Sequence, residues 1–379
     1  IALGTPLSVN FENIAALGGI GISIPTEPLM VALMLLYLLW LGTGGQVDKR
    51  LIRHPLTVAV IFSLLWMFIT SLTSTMPVVS FKFLLARLWF VTTMYFMITS
   101  FFSKERFLKA FGYLLMIGMS AAMVYTIAHH ALYSFAEKPA HWVMWPFFND
   151  HTSYGALIAM LFPMVIFHFW RAPNFSIEKF AFGVMLLLFC VGLVLSYTRA
   201  AWVSLAVALP VFVLIRLKID FKLVLLAAAA AVGLFFAFED TITHRLDKNS
   251  QDSSGDFREH VQSITNITSD ASNLERINRW NAALRMYSER PLVGFGPGTY
   301  MFQYAVYQKS ADKTIISTNQ ADGGNAHSEY LGPLSEQGLP GALAVVVIFA
   351  LALNTGIRLY YRLDHDSYTQ GIVLCIVLG

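Results

Sequence analysis

The chain has 379 residues, of which 56% are hydrophobic, 14% aromatic and only 13% charged. A soluble domain carries about 25% charged residues, so composition excludes an ordinary soluble fold and leaves a polytopic membrane protein. The net charge of +3 is small, and where the cations sit carries more information than how many there are.

Taken in order, Ile1–Ile24 is Gly-rich and mixed, and reads as a loop or a short interfacial segment. Ten apolar runs follow, near 26–42, 55–71, 78–102, 107–130, 152–170, 177–197, 200–216, 221–239, 330–357 and from 368 onward. As helices they cross roughly 30 Å of hydrocarbon, allowing for ragged ends. The expected fold is therefore an all-α polytopic membrane protein with about ten visible spans. Residues 1–239 form a transmembrane bundle, 240–329 a large polar loop and 330–379 the C-terminal spans. The chain begins at Ile1 and stops inside the apolar run Gly371–Gly379, so further residues are expected at both ends. Cys190 and Cys375 sit in apolar runs and read as packed thiols without a disulfide.

The connecting segments alternate in charge. Lys49, Arg50 and Arg53 follow the first run, Lys104, Arg106 and Lys109 the third, and Arg171 and Lys179 the fifth. Arg216, Lys218 and Lys222 follow the seventh, and Arg358 and Arg362 the ninth. Between them, Ser71–Pro77 has no Lys or Arg and Ala131–Asp150 has only Lys138. The positive-inside rule makes the first set cytoplasmic and puts the intervening loops, with 240–329, on the opposite side.

Within Ala131–Asp150, His141, Trp142, Trp145 and Pro146 fit an aromatic belt at the interface. Asp150 or Asn149 suits a helix cap, and His151 is placed to face a polar cavity. The long loop divides in two. Asp240–Asp270 is rich in Ser, Asp, Asn and Thr, whereas Asn273–Glu289 repeats Leu274, Ile277, Ala282, Leu284 and Met286 at roughly helical spacing among charged residues. That pattern predicts an amphipathic helix at the membrane surface or over a cavity, ended by Arg290-Pro291. Gly294, Gly296 and Gly298 then make a bare turn that returns it to the bundle.

Chemistry is sought in this polar stretch and at one arginine outside it. Arg199 lies between two apolar runs with almost no loop. It is either a snorkelling interfacial cation or a fixed cation at the mouth of a cavity, and its side of the membrane favours the second. Arg276 and Arg279 lie three apart on the amphipathic helix. They are either a solvated charged face or the source of one arginine that, with Arg199, makes a diphosphate clamp, since planar guanidinium forks suit phosphate oxygens. The glycine turn lacks the Lys-Ser/Thr of a P-loop and follows no strand. His327 sits among Asn325, Ser328 and Glu329 where the loop meets the ninth run; a histidine suits a general base there. Metal-ligand spacing and a nucleophile elbow are both absent.

Ser196-Tyr197-Thr198-Arg199-Ala200-Ala201-Trp202, Glu275-Arg276 with Trp280, Pro291 through Gly298, and Asn325-Ala326-His327 through Glu336-Gln337-Gly338-Leu339-Pro340-Gly341 together resemble the O-antigen ligase family, with its related O-antigen polymerases and protein O-oligosaccharyltransferases. The resemblance covers roughly 177–350; the first half is similar only in hydropathy. It implies about twelve spans in a complete chain and one large periplasmic loop. It also implies transfer of a glycan from undecaprenyl diphosphate to an acceptor hydroxyl in the periplasm of the bacterial inner membrane. In the ligases that acceptor is lipid A-core. By the same resemblance Arg199 and Arg276 bind the donor diphosphate and His327 is the catalytic base. Arg279, Asn325, Glu329 and His151 are supporting candidates. Where the family motif often has Asn after the histidine, this chain has Ser328. A charge-matched diphosphate is a good leaving group, so no cofactor and no metal is expected. Nucleic acid is not an expected partner. Attack opposite the leaving group would invert the anomeric centre.

A polymerase or protein-glycosylating enzyme of the same superfamily remains the nearer alternative. A polysaccharide flippase or transporter is the non-enzyme one, for which internal repeats with broken spans in matching halves would be expected. The topology is directly testable. In a cysteine-free background, Gly255→Cys is expected to react with an impermeant maleimide applied to intact spheroplasts and Lys218→Cys is not; the reverse pattern would invert the assignment of every loop.

Overall fold

The computed structural model describes residues 1–11, 22–101, 105–219, 271–314, 317–318, 324–365 and 367–379. Two short strands, β1 (Val9–Phe11) and β2 (Ile22–Ile24), pair antiparallel with Val9 opposite Ile24. The chain is predominantly helical, as expected of a polytopic membrane protein, and this three-residue strand pair is a local addition within the stretch read as a loop or short interfacial segment. Helices then follow as α1 (Thr26–Gly42), α2 (Pro55–Leu72), α3 (Pro77–Phe101) and α4 (Glu105–Ala131). After them come α5 (His151–Arg171), α6 (Ile177–Leu195) and α7 (Arg199–Arg216). The last three are α8 (Ala271–Glu289), α9 (Leu331–Arg362) and α10 (Tyr368–Leu378).

Among the described residues seven of these helices are long and apolar enough to cross a membrane, which makes this a multi-pass membrane protein. α1 and α10, with 17 and 11 residues, are shorter apolar helices at expected spans. The run expected at 221–239 lies outside the described residues, as do the mixed stretch 240–270 and Lys104 and Lys222.

The helix starts follow from local chemistry. Pro55 and Pro77 open α2 and α3, where a missing N–H costs nothing. Asp150 accepts the Ser153 N–H at 2.8 Å to cap α5, and Ser176 and Ser367 cap α6 and α10 in the same way. α3 loosens into a π-helical turn over Thr92–Met97.

α2 packs along α9, α5 along α6 and α7, and α10 against α5 and α9. The largest core joins α4, α5 and α6 through Met116, Met119, Met123, Tyr154, Ile158 and Phe189. Cys375 is buried, as expected, but Cys190 faces outward from α6, so only one thiol is packed inside the bundle.

The bundle has two chemically different ends. At one, the Lys109 ammonium pairs with Glu105 at 2.8 Å and lies over the Tyr368 ring, Arg171 approaches the same ring, and Arg216 donates to Tyr360 at 3.4 Å. The starts of α1, α5, α7 and α9 and the α2–α3 turn lie at the other.

α8 lies across that second end, against the start of α9. Its buried face is Glu275, Asn278, Ala282, Ala283 and Met286, while Leu284 is exposed. This shifts the apolar stripe from the one the spacing suggested, because polar side chains occupy its first two turns. Ala282, Ala283 and Met286 pack with Phe295, Tyr300, Tyr304 and Ala326. Outside the hydrocarbon such burial is driven by water, and a Met or Phe side chain contributes about 1.5–3 kcal/mol.

The glycine turn fastens this layer to the bundle. Gly294, Gly296 and Gly298 all have positive φ, and the Phe295 and Gly296 N–H groups donate to the carbonyls of Ser335 and Glu336 at 3.1 and 2.8 Å. α9 is broken opposite this contact, at Gly338 (φ 68°, ψ −170°). Across the break the Leu339 N–H reaches the Pro291 carbonyl at 2.9 Å and the Trp66 indole donates to the Gln337 carbonyl at 2.8 Å. On the other flank Thr75 and Ser80 donate to the carbonyls of Phe295 and Pro297.

A Cβ on Gly294 would lie 2.3 Å from the Glu336 carbonyl carbon, and one on Gly338 2.2 Å from the Leu292 oxygen. Both glycines also hold backbone angles that cost other residues about 1–3 kcal/mol. Gly294→Ala and Gly338→Ala are therefore expected to lose at least that much stability in detergent thermal unfolding. Gly42→Ala, with open space around it, is expected to stay within about 0.5 kcal/mol of the parent.

Candidate functional site

Ser196-Tyr197-Thr198 turns α6 into α7 with no longer loop, Tyr197 taking φ 49°. The turn is held by Trp202, whose indole donates to the Leu193 carbonyl at 2.9 Å, and by Tyr197, whose hydroxyl reaches the Phe135 carbonyl at 3.1 Å. The Thr198 hydroxyl donates to the His151 carbonyl at 2.7 Å, which ties the start of α7 to the start of α5. Arg199 and His151 consequently open onto the same space.

Glu275 organises the first turns of α8. One carboxylate oxygen accepts from Arg279 Nε at 2.9 Å; the other accepts from Ser317 and, at 3.3 Å, from Asn278. Burial pushes this carboxyl's pKa up, but hydrogen bonds from Ser317, Arg279 and Asn278 outweigh it and hold the group below the ordinary glutamate value. Arg279 also donates to the Asn325 carbonyl at 3.1 Å and lies 5.2 Å from the Tyr304 ring centre. Its side chain is only 13% exposed, so Arg279 belongs to an interior clamp and not to the solvated face suggested as one reading of the spacing.

The clamp positions His327. The Asn325 side-chain oxygen accepts the His327 N–H at 3.0 Å, and His327 takes the left-handed conformation, φ 48°. Such backbone is uncommon outside glycine and persists where neighbours over-determine it. Ser328 Oγ accepts from the Leu331 N–H at 3.1 Å at the start of α9. Serine and asparagine are comparable helix caps, which accounts for a serine at this position.

These pieces enclose a cavity of about 930 Å³. Arg199, Arg276, Arg279, His151 and His327 all line it, with Glu137, His141 and Glu275. The Nδ1 atoms of His141 and His151 are 3.2 Å apart, within hydrogen-bonding reach. Below the charged mouth, Ala200, Val203, Val207 and Val211 form one apolar face of α7, opposed by Val377 and Leu378.

His327 also lines a second cavity, of about 1110 Å³, on its other side. Asn325, Ser328, Glu329 and Glu336 line it with Lys82 and Arg87 of α3, and Leu64, Met67, Val345, Ile348 and Phe349 give it an apolar wall. Glu336 accepts the Tyr300 N–H at 3.0 Å.

His327 lines both cavities and keeps contact with solvent. Partial desolvation by the surrounding walls, then the positive charges of Arg279 and Arg276, hold its pKa below the ordinary histidine value; Glu275 and Asp150 oppose the shift. The imidazole is thus neutral near pH 7, as a proton acceptor must be. Among the described residues no three His, Cys, Asp or Glu side chains are grouped to hold a metal ion.

Arg199, Arg276, Arg279, His151 and His327 therefore meet in one cavity, while Asn325 and Glu329 stand on the second. Sequence reading did not identify His141, Glu137, Glu275, Lys82, Arg87 or Glu336 as site residues. Lys82 and Arg87 carried a usable signal, since cations within an apolar run are expensive unless they face a polar space. The partner of His151 carried none, because nine residues of irregular chain separate it from His141.

Residues 184–346 match the family model described as O-Antigen ligase, a segment that takes in Arg199, Arg276 and His327. The resemblance drawn from the motifs is borne out, and the family implies glycosyltransferase activity of the ligase or polymerase type. No curated protein matches the chain.

Arg279→Gln removes one cation near His327 and deprives Glu275 of its partner; both changes favour a protonated imidazole. The pH at which His327 becomes reactive to diethylpyrocarbonate, read by peptide mass spectrometry, is expected to rise relative to the parent. An unchanged profile would mean that the clamp does not reach the imidazole.

Proposed function

We propose that this chain of the O-antigen ligase family transfers a glycan from undecaprenyl diphosphate to an acceptor hydroxyl at the periplasmic face of the bacterial inner membrane. The observation that carries the reading is the meeting of Arg199, Arg276 and His327, from three separate elements, around one cavity. Arg199 and Arg276 grip the donor diphosphate through their planar forks. The apolar face of α7 below them suits the polyprenyl tail.

His327 removes the proton of the acceptor hydroxyl. The acceptor oxygen attacks the anomeric carbon as the bond from that carbon to the diphosphate oxygen breaks, and undecaprenyl diphosphate departs with the electron pair. The anomeric centre is inverted. The second cavity, lined by both polar and apolar side chains, takes the acceptor, and lipid A-core combines those chemistries. The organisation of 1–239 and 330–379 as membrane spans around the loop 240–329 is part of the same proposal. A transporter reading is less well supported, because the polar groups gather at the ends of the bundle and not at its middle.

Purified protein supplied with lipid-linked glycan and, in separate arms, lipid A-core, a second lipid-linked glycan or a pilin-like protein is expected to form product in detergent with the first. Product only with another acceptor would make it a polymerase or protein-glycosylating enzyme; none with any would refute transfer. Arg199→Lys and Arg276→Lys are each expected to weaken donor binding about 10- to 150-fold, the loss of a charge-assisted contact. His327→Asn, which tolerates the left-handed backbone, is expected to bind donor but transfer about 10²–10⁴-fold more slowly. Transfer is expected to rise with pH through a value below the ordinary histidine range and then level off.

A further inference from the structure

A third cleft, of about 620 Å³, opens between the β1–β2 pair, the start of α1, one face of α3 and the turn leading into α5. It shares Phe83, Arg87 and Phe90 of α3 with the second cavity. On its far wall Asn149 and Asp150 immediately precede His151 of the first. Asp150 lies close enough to His327 for its charge to act on the imidazole. The cleft therefore adjoins the second cavity directly and the first through consecutive residues of one turn.

The chemistry of this cleft differs from that of the other two. Ser8, Asn10, Thr26 and Asn149 supply hydroxyls and amides, and Trp89 and Phe148 supply aromatic surface. Its charges, Glu27 and Asp150 against Arg87, nearly cancel. A lipid tail would strip water from the polar groups without replacing their hydrogen bonds. A diphosphate would meet two carboxylates and a single arginine. A sugar chain suits both kinds of surface, its hydroxyls facing the amides and its C–H faces lying on the rings. Two of the walls are already joined: Asn10 Nδ2 donates to Asn149 Oδ1 at 3.4 Å, and the Ser8 and Thr26 hydroxyls bond to one another. The volume falls within the roughly 300–1,000 Å³ of preformed small-molecule sites.

We infer that this cleft is a glycan-binding site that holds the sugar chain of one substrate beside the bond being formed. The inference rests on the glycan-transfer reading for its place in the reaction. The sugar chain is either the donor glycan beyond its first residue or the outer sugars of the acceptor.

The test is equilibrium binding to the full chain in detergent, followed by saturation-transfer NMR. The probes are the oligosaccharide released by mild acid from the host's lipid-linked glycan and the core oligosaccharide released from its lipid A. Binding of one of them is expected, undisturbed by inorganic pyrophosphate, and the one that binds identifies the source. Asn149→Ala, in an exposed turn, is expected to weaken that binding about 2- to 10-fold, the scale of one lost hydrogen bond, and Trp89→Leu, which removes the ring face, by a similar factor, with thermal unfolding unchanged. No saturation transfer to either oligosaccharide, or equal binding by both variants and the parent, overturns the inference. Glycan binding that responds to the variants in a protein that transfers nothing would leave the cleft standing and remove the transfer reading. Transfer with variant-insensitive binding would do the opposite.

Discussion

Everything at the loop end depends on one close approach of backbone to backbone. The turn at Gly294–Gly298 lies directly on the broken start of α9, and peptide groups from each satisfy the other. A helix broken at Gly338 leaves donors and acceptors that would be costly near hydrocarbon. Leu339 finds the Pro291 carbonyl, and the Gln337 carbonyl finds Trp66. Because the same turn also receives hydroxyls from the α2–α3 connection, one seam holds α2, α3 and α9 in register with the layer carrying Arg276. Side chains could not substitute for this, since no Cβ fits at either glycine.

From that seam follows a division of labour by solvent. Within the bundle, helices meet through Met, Phe and small residues, where packing supplies the cohesion. Polar chemistry is concentrated at the two ends. One end carries cations paired with aromatic rings and a carboxylate; the other carries cations that line cavities. Arg279, only 13% exposed in the clamp, acts more strongly on a charge beside it than a solvated guanidinium would. Glu275 limits that effect by neutralising Arg279 locally, so the clamp can be rigid without flooding the cavity with positive charge.

Much of the fold was legible because membrane spans declare themselves by length and apolarity: nine of the ten expected runs coincide with helices among the described residues. Arg199, Arg276 and His327 could be singled out because each is a polar residue with a recognisable neighbourhood. What could not be read was how the chain folds back. Arg279 looked like a surface residue because Glu275, four residues earlier, is an ordinary helix-face partner; only Asn325 and Tyr304, distant in sequence, bury it. The buried stripe of α8 was misjudged for the same reason, since Gln308 accepts from Asn278 and Ser317 donates to Glu275 from positions distant in sequence. The strand pair escaped notice because three residues per strand carry almost no periodicity.

One imidazole forming part of the wall of two cavities has a thermodynamic consequence. Its affinity for a proton cannot be independent of what fills either side. In the reading proposed above, an empty first cavity leaves His327 facing Arg276 and Arg279, whose charges add to partial desolvation in weakening it as a base. A diphosphate settling among the arginines brings negative charge to the same neighbourhood and strengthens the base. An acceptor that arrives first would meet a group reluctant to take its proton, and one that arrives second would meet a willing one. By linkage the preference is mutual: a proton on the histidine also tightens the hold on the anion. Order of events would then be written into electrostatics, without a moving lid.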